Sequence, residues 1–331
     1  MMRLQVNSHY FGWIIGVLLA IFFPILFGPA QVNMVTEIII FSLYALSYNL
    51  LLGYGGLLSF GHSMFFGFGS YATGAFLLRF PNLPFFVLLL IATMSTTIIS
   101  LAIGSFLIRQ KGAPFALTTL AFSGLFYTTA IKWTRITGGD DGLVIMRPNI
   151  NLGFLNLDMS NINTFYYVTL VILGSSIILC WRFTKTAMGQ TTLLIRENEE
   201  RMEFIGYNTA VARLILITVS GTFAGLSGFF YMLFFGTVAY NVVSVDMTAT
   251  ALLMTFIGGM DRFYGPILGA AFYTYVQDFL SEITDRWPFF MGSCFVLIVM
   301  FLPGGLAGLI SSFVEIWQDR LRKIFKKNRN D

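Results

Sequence analysis

The ionised side chains of this 331-residue chain are concentrated in one short segment, residues 185–208, with the sequence KTAMGQTTLLIRENEERMEFIGYN. The stretches on either side of this segment carry almost no charge. Charges grouped in this way cannot remain within lipid hydrocarbon, so the segment must face water. Four acids and three bases on one water-exposed segment could bind another protein surface. The ionised residues are Lys185, Arg196, Glu197, Glu199, Glu200, Arg201 and Glu203.

Motifs that carry catalytic or phosphate-binding chemistry are missing from the sequence. There is no GxxxxGK[ST] phosphate loop, and HExxH, CxxC and GxSxG are absent as well. His9 precedes the first apolar segment, whereas His62 lies among glycines, where a role in helix initiation or packing is favoured over catalysis. Cys180 and Cys294 both fall in apolar segments, which predicts neither a disulfide nor a metal site. We therefore expect no enzyme, and no metal or cofactor on this chain.

Polar residues deep inside the apolar segments are neutral. Acids such as Glu37 and Asp278 fall near the ends of apolar segments, whereas a proton- or sodium-driven carrier usually keeps an ionisable group deep in its helix bundle. The energy for any transport must then come from elsewhere, or the protein is a passive channel. The candidate residues for lining a path are Asn49, Ser59, His62, Thr96, Thr118, Thr119 and Ser220.

Composition places all these residues in a membrane protein. Charged residues make up 11% of the chain and hydrophobic residues 56%, and the mean hydropathy is +0.76. A soluble domain carries about 25% charged residues. The apolar runs have the length of membrane helices and lack the alternation of barrel strands, so we predict an all-α polytopic membrane protein. The net charge of +4 comes mainly from the basic tail, 313–331, which predicts contact with anionic lipid and not with nucleic acid.

Apolar runs predict about ten transmembrane helices, within a range of eight to ten, in a single transmembrane domain that covers the whole chain. The eighth run is short for a full crossing and is predicted to be tilted, broken or re-entrant. The predicted spans are 11–28, 33–52, 62–79, 84–108, 114–134, 164–183, 211–235, 247–259, 265–282 and 288–306.

The distribution of lysine and arginine predicts the orientation. With the N-terminus inside, the inner segments hold fifteen basic residues and the outer segments hold five. Basic residues favour the cytoplasmic side of a membrane. Both termini and the 185–208 loop are therefore predicted to be cytoplasmic, and 135–163 is predicted to be the longest external loop.

Glycines interrupt two of the apolar regions. Such clusters are typical of bent or broken helices, which line substrate paths in many transporters, although a tight turn between helices would need glycine equally. In the seventh span, Ser220, Ala224 and Gly228 fall on one stripe, and small residues at this spacing let helices approach closely. TGGDDGL (137–143) is typical of a turn. The helix-breaking glycines are Gly53, Gly55, Gly56 and Gly61, and Gly258, Gly259 and Gly265.

Within the charged segment, residues 190–205 can form about four helical turns, with Gly206 as the C-terminal cap. Arg196 and Glu200 would then form an ion pair one turn apart. An isolated helix this short is marginally stable in water, and several apolar side chains on it would stay exposed. A docked partner would bury them. The alternative is a solvated surface loop.

The ordered motifs of the chain also resemble a known family. From about Tyr44 to Gly308, their order and spacing are similar to the inner-membrane permease subunits of ABC importers for branched-chain amino acids, in particular the LivM-like branch. Two segments depart from the family pattern: residues 260–264 fill a turn that usually holds smaller residues, and TGGDDGL has two acids where one is common. The matching motifs are NLLLGYGGLLSFGHSMFFGFGSYATG (49–74), PFALTTLAF (114–122), TGGDDGL (137–143), RENEERMEFIGYN (196–208), SGTFAGLSGFFY (220–231), GGMDRFYGPILGA (258–270) and LPGGLAGL (302–309).

The resemblance implies a type II importer-like permease in the bacterial inner membrane, paired with a second homologous permease, two cytoplasmic ATPases and an extracytoplasmic substrate-binding protein. ATP and magnesium would bind the ATPases, and the solute would be a branched-chain or other hydrophobic amino acid. The charged segment would hold the helix that docks on an ATPase, whose residues here are Arg196, Glu197, Asn198, Glu199, Glu200, Arg201, Glu203 and Gly206. The alternatives are a permease for urea or short amides and, from another class, a stand-alone channel or secondary carrier.

Overall fold

The computed structural model of the chain describes residues 20–151, 156–302 and 304–311. Residues 20–26 are helical, a five-residue π-helix (Leu50–Tyr54) follows α1, and a short 3₁₀-helix (Tyr240–Val243) precedes α10. The helices are α1 (Pro29–Asn49), α2 (Ser63–Arg79), α3 (Phe85–Leu107), α4 (Gly112–Lys132), α5 (Thr134–Thr137), α6 (Ile162–Lys185), α7 (Ala187–Glu197), α8 (Glu199–Phe204), α9 (Thr209–Phe235), α10 (Val245–Gly258), α11 (Gly265–Ile283), α12 (Trp287–Phe301) and α13 (Gly305–Ser311). The strands are β1 (Leu143–Val144), β2 (Ile150–Asn151), β3 (Asn156–Leu157) and β4 (Thr237–Val238).

Five helices of the described residues are long and apolar enough to cross a membrane: α1 with its π-helix, α3, α4, α6 and α9. The pair α12 and α13, bent by 46°, would make a sixth. A helix begins within four residues of nine of the predicted spans, but α2, α10 and α11 are shorter or less apolar than the five. Most of the predicted span 11–28, like the basic tail, lies outside the described residues.

Helix α9 lies at the centre of the bundle and packs on α1, α2 and α3. Its stripe of small residues makes these contacts, as predicted: a Cβ added at Gly228 would overlap the carbonyl oxygen of Phe66 in α2. Ser70 Oγ donates to the carbonyl of Gly228 at 2.8 Å, and Ser220 Oγ donates to the carbonyl of Ser47 at 2.6 Å. Backbones therefore touch where the small residues lie.

The second glycine cluster forms a tight turn between α10 and α11, which pack against each other. A Cβ added at Gly258 would overlap the carbonyl oxygen of Gly265, and one added at Gly265 would overlap that of Gly259. Gly259 has a φ of 99°, which other residues rarely adopt. The sequence left two roles open for a glycine cluster, a broken helix that lines a path or a tight turn between helices. The second cluster forms the turn.

A small sheet and an arginine lie at the end of the bundle opposite residues 185–208. Strand β1 pairs with β4, and the glycines of TGGDDGL before β1 have φ values of 76°, 67° and 70°, which confirms the predicted turn. Arg147 donates from Nε to the carbonyl of Leu233 and from a terminal nitrogen to that of Phe234, both at 2.7 Å. It therefore fixes this loop to the C-terminal end of α9.

Candidate functional site: a water-facing helix pair and the helix junction beneath it

The charged segment folds as two helices, α7 and α8, and the prediction of one continuous helix over 190–205 was wrong. Asn198 separates them with an extended backbone (φ −157°, ψ 96°), and its side-chain oxygen accepts from the N–H of Arg201 at 2.9 Å. Asparagine is a preferred N-cap, so it stabilises the start of α8. The predicted cap is confirmed: Gly206 has a φ of 97°, and the N–H of Tyr207 donates to the carbonyl of Met202 at 3.0 Å.

The break at Asn198 also changes the ion pairing. The predicted pair of Arg196 with Glu200 does not form, because the two residues lie on different helices. Arg196 instead donates to the carbonyl oxygen of Gly53 in the π-helix. The first helix of the pair is thereby connected directly to the interrupted end of α1.

Glu199, at the start of α8, binds two basic residues from other helices. Its Oε1 lies 2.9 Å from Nζ of Lys111, in the turn between α3 and α4, and also contacts the guanidinium of Arg213, near the start of α9. Arg213 is buried and also donates to the carbonyl of Ile108 at 3.3 Å. Partial burial raises the pKa of Glu199, but hydrogen bonding and charge from Lys111 and Arg213 outweigh it, so the net pKa lies below its usual value.

The lowered pKa of Glu199 predicts a pH-dependent anchoring of α8. A carboxyl whose pKa is lower in the folded than in the unfolded state stabilises the fold above its unfolded value of 4.5, and this contribution is lost as pH falls through the folded pKa. We expect the free energies of unfolding of wild type and Glu199→Gln to differ by about 1–3 kcal/mol above about pH 5 and to converge on acidification.

Denaturant titrations in detergent between about pH 3 and 7 would measure this difference. Glu200→Gln is the matched control, since Glu200 is exposed and forms no ion pair with the described residues, and it should unfold like wild type at every pH. A difference for Glu199→Gln that stays constant down to the most acidic sample would contradict the assignment.

Helices α7 and α8 have one buried and one exposed face. Ile195 and Met202 pack with Ala212 of α9 in a small cluster, so two of the apolar residues expected to be exposed are buried. The opposite side ends in Phe204, 90% exposed, and Ile205, 64% exposed, followed by Tyr207, which is half exposed. We call Phe204, Ile205 and Tyr207 the apolar tip. The exposed charged residues of the two helices are Arg196, Glu197, Glu200, Arg201 and Glu203.

The two glycine clusters meet beneath this helix pair. The π-helix places Gly53 against the carbonyl of Met260, in the turn between α10 and α11, and against the side chain of Asn49. Asn49 is buried, and its amide has no hydrogen-bond partner among the described residues. Gly56 has a φ of 64° and packs on the side chain of Arg196. We call Leu50–Leu57 with Met260 the helix junction.

Most of the predicted path residues surround the segment that leads from this junction to α2. His62 is buried, with Nε2 2.9 Å from Ser47 Oγ and the rings of Tyr44 and Tyr48 beside it. The carbonyl of Ser59 accepts from Tyr48 Oη at 3.0 Å. Ser220 contacts these residues through its hydrogen bond to the carbonyl of Ser47. We call Tyr44, Ser47, Tyr48, Ser59, His62 and Ser220 the His62 group.

The remaining path residues lie on α3 and α4. Thr119 Oγ1 accepts from the N–H of Phe60 at 3.1 Å, which places it with the His62 group. Thr118 is its half-buried neighbour. Thr96 is separate, because it is buried against Gly225 where α3 meets α9.

A cavity of about 640 Å³ opens between α2, α4 and α5, toward the end of the bundle opposite α7 and α8. None of the predicted path residues lines it. Its walls are largely apolar, with Arg79, Trp133 and Arg135 at the outer end and Phe68 and Val243 deeper. One sequence pattern could have indicated this cavity, the alternating aromatic and small residues along α2. The same pattern is equally typical of helix packing.

Comparisons with known proteins identify the family of the chain. Residues 31–312 match the family model described as branched-chain amino acid transport system, permease component. The permease protein LivM of the high-affinity branched-chain amino acid transport system of Escherichia coli K12 is 25% identical over 310 residues, which cover 88% of this chain and 73% of LivM. LivM of Salmonella typhimurium LT2 is 24% identical over 310 residues, which cover 88% of this chain and 73% of that protein.

A second group of relatives carries a different name. The autoinducer 2 import system permease protein LsrC of Salmonella typhi is 25% identical over 253 residues, 72% of this chain and 65% of LsrC. No solved structure matches the chain. Because the family model covers most of its length, the chain belongs to the branched-chain amino acid transport permease family, whose members include permeases of ABC importers. It is a multi-pass membrane protein, and its relatives are permeases and not enzymes.

Proposed function

We propose that this chain is the permease subunit of an ATP-driven importer for branched-chain or other hydrophobic amino acids in a bacterial inner membrane. It would work with a second homologous permease, two cytoplasmic ATPases that bind ATP and magnesium, and an extracytoplasmic substrate-binding protein. The observation that supports this most is the apolar tip on α7 and α8, since Phe204 is 90% exposed on a segment that must face water. A docked protein would bury it.

The contacts of α7 and α8 make them suitable for transmitting an ATPase movement. Arg196 reaches the helix junction, and Glu199 binds both the α3–α4 turn and the start of α9. The segment that would dock is therefore joined to the bundle at three points: by a charged hydrogen bond to the π-helix after α1, and by ion pairs to the α3–α4 turn and to α9. In the proposed cycle, closure of the ATPases on ATP moves α7 and α8, and these bonds carry the movement into the bundle. Energy then enters from outside the bilayer, so no deep ionisable group is needed.

The apolar cavity favours a hydrophobic solute. Its lining suits an aliphatic side chain, whereas urea and short amides need several polar partners. Val243 lines the cavity, and its carbonyl accepts from Ser63 Oγ at 3.1 Å and from Ser123 Oγ at 3.0 Å. These serines lie beside the His62 group. We therefore propose that the route continues from the cavity past the neutral path residues toward the helix junction.

Reconstitution of the importer in proteoliposomes tests the proposal. We expect ATP-dependent uptake of labelled leucine only when the ATPases and the substrate-binding protein are present, and unlabelled isoleucine but not urea should compete. Competition by urea alone would move the assignment to the amide importers. Leucine transport by this chain without an ATPase would refute the proposed class and support a channel or carrier.

A further inference from the structure

We propose that Arg196 is a positioning residue that transmits the movement of α7 to the helix junction, and that this contact couples ATP hydrolysis to solute movement. The inference rests on the proposed function, because it assumes that an ATPase moves α7. The family resemblance counts Arg196 among the docking residues, but its guanidinium is bound to Gly53 in the bundle, so the inference assigns it to transmission and leaves docking to the other exposed residues of the segment.

The first observation is the contact itself. The guanidinium of Arg196 donates to the backbone carbonyl of Gly53, 143 residues earlier in the chain. A charged donor on a backbone carbonyl is stronger than a neutral hydrogen bond and fixes a point of the main chain, not a side chain that can rotate away. Gly56, with a φ of 64°, packs on the aliphatic part of the same arginine, where a Cβ would come within 2.9 Å of its Cγ.

The second observation is the structure of the turn that Arg196 holds. Residues Leu50–Tyr54 form a π-helix, a geometry that is rare and less stable than the α-helix. Its last bonds run from the N–H of Gly55 to Leu50, from that of Gly56 to Leu52 and from that of Leu57 to Leu51, at 2.9–3.1 Å. Because an α-helical continuation of α1 is a nearby alternative, a pull on Gly53 can change the register of these bonds.

The third observation is what lies behind the turn. Gly53 touches the carbonyl of Met260, so the same point also contacts the α10–α11 turn. The buried amide of Asn49 has no partner among the described residues and lies against Gly53. A shift of the turn would change the surroundings of this amide without breaking a hydrogen bond of its own. Arg196 therefore connects a moving surface helix to a part of the bundle with more than one available arrangement.

The test uses the complete importer with Arg196→Gln and, as the matched control, Arg182→Gln. Arg182 is an exposed arginine in the last turn of α6 and forms no ion pair with the described residues. We expect Arg196→Gln to retain its ATPase subunits and their ATP hydrolysis but to move about tenfold less leucine per ATP. Arg196→Lys should recover part of the ratio of leucine moved to ATP hydrolysed, and Arg182→Gln should have the wild-type ratio. An unchanged ratio in Arg196→Gln would overturn the proposal, and so would loss of the ATPases on purification, which would place Arg196 in the docking surface.

A second pair of variants tests the same contact from the glycine side. A second measurement, hydrogen exchange, does not depend on which solute is transported. Gly56→Ala should lower the ratio with Arg196 intact, whereas Gly112→Ala, with a similar φ of 59° and open space around it, should not. Hydrogen exchange of peptide 50–57 should change when ATP is trapped with vanadate in wild type and stay constant in Arg196→Gln. The same change in hydrogen exchange in wild type and in Arg196→Gln would contradict the inference. If wild type moves no leucine but the exchange difference is present, only the assigned solute fails.

Discussion

Substitution of Gly228 by alanine should cost about 3 kcal/mol of folding free energy, although it adds one methyl group. The new Cβ would overlap the carbonyl oxygen of Phe66, which is backbone and cannot rotate away. Helices α2 and α9 would have to separate, and the hydrogen bond from Ser70 Oγ to the Gly228 carbonyl would weaken. Overpacking of this kind costs about 1–3 kcal/mol, and a lost hydrogen bond about 1 more.

Gly174→Ala is the matched control for this prediction. It makes the same change in helix α6, where an added Cβ meets nothing within 4 Å. Alanine is favoured over glycine in a helix by about 1 kcal/mol, so Gly174→Ala should leave stability unchanged or raise it slightly. Thermal unfolding of both variants in detergent measures the effect. Equal midpoints would show that α2 and α9 can separate at little cost and that the glycine contact is not tight.

Phe204→Ala should weaken binding of the proposed ATPase about 30-fold and nearly abolish uptake without changing the stability of the permease. The side chain is 90% exposed, so the free chain loses almost no buried surface when it is truncated. A phenylalanine buried at the centre of an interface contributes about 2 kcal/mol or more, which corresponds to that factor. Titration of the purified permease with its ATPase gives the affinity.

Phe301→Ala controls for the loss of an exposed aromatic ring. Phe301 is 72% exposed at the end of α12, far from the apolar tip in sequence. This variant should bind the ATPase like wild type. If Phe204→Ala binds equally well, the tip is not the docking surface and the proposed role of α7 and α8 fails.

Local patterns predicted the helices well. Hydropathy alone located nine of them to within four residues at their starts, because a span needs about 20 apolar residues and its ends are set by that length. The stripe at Ser220, Ala224 and Gly228 predicted close packing for the same reason: it depends on residue size at fixed helical spacing. Gly206 was predicted as a cap because few other residues adopt its φ of 97°.

Contacts between distant segments could not be predicted in this way. The only ion pair predicted within the charged segment was local, yet Glu199 binds Lys111 in the α3–α4 turn and Arg213 in α9. The contact of Arg196 with Gly53 likewise depends on how α7 lies on the bundle. The break at Asn198 could have been predicted, since asparagine followed by two glutamates is typical of a helix start. The surrounding helix-forming residues favoured one continuous helix instead.

The length of α9 has a consequence for both faces of the protein. Its 27 residues span about 40 Å, with Arg213 bound to Glu199 near one end and the carbonyls of Leu233 and Phe234 bound to Arg147 at the other. Between them, Gly228 contacts α2 about three-quarters of the way along the helix. A rigid tilt of α9 about this contact would therefore move its first turn in one direction and strand β4 with the Arg147 loop a shorter distance in the opposite direction.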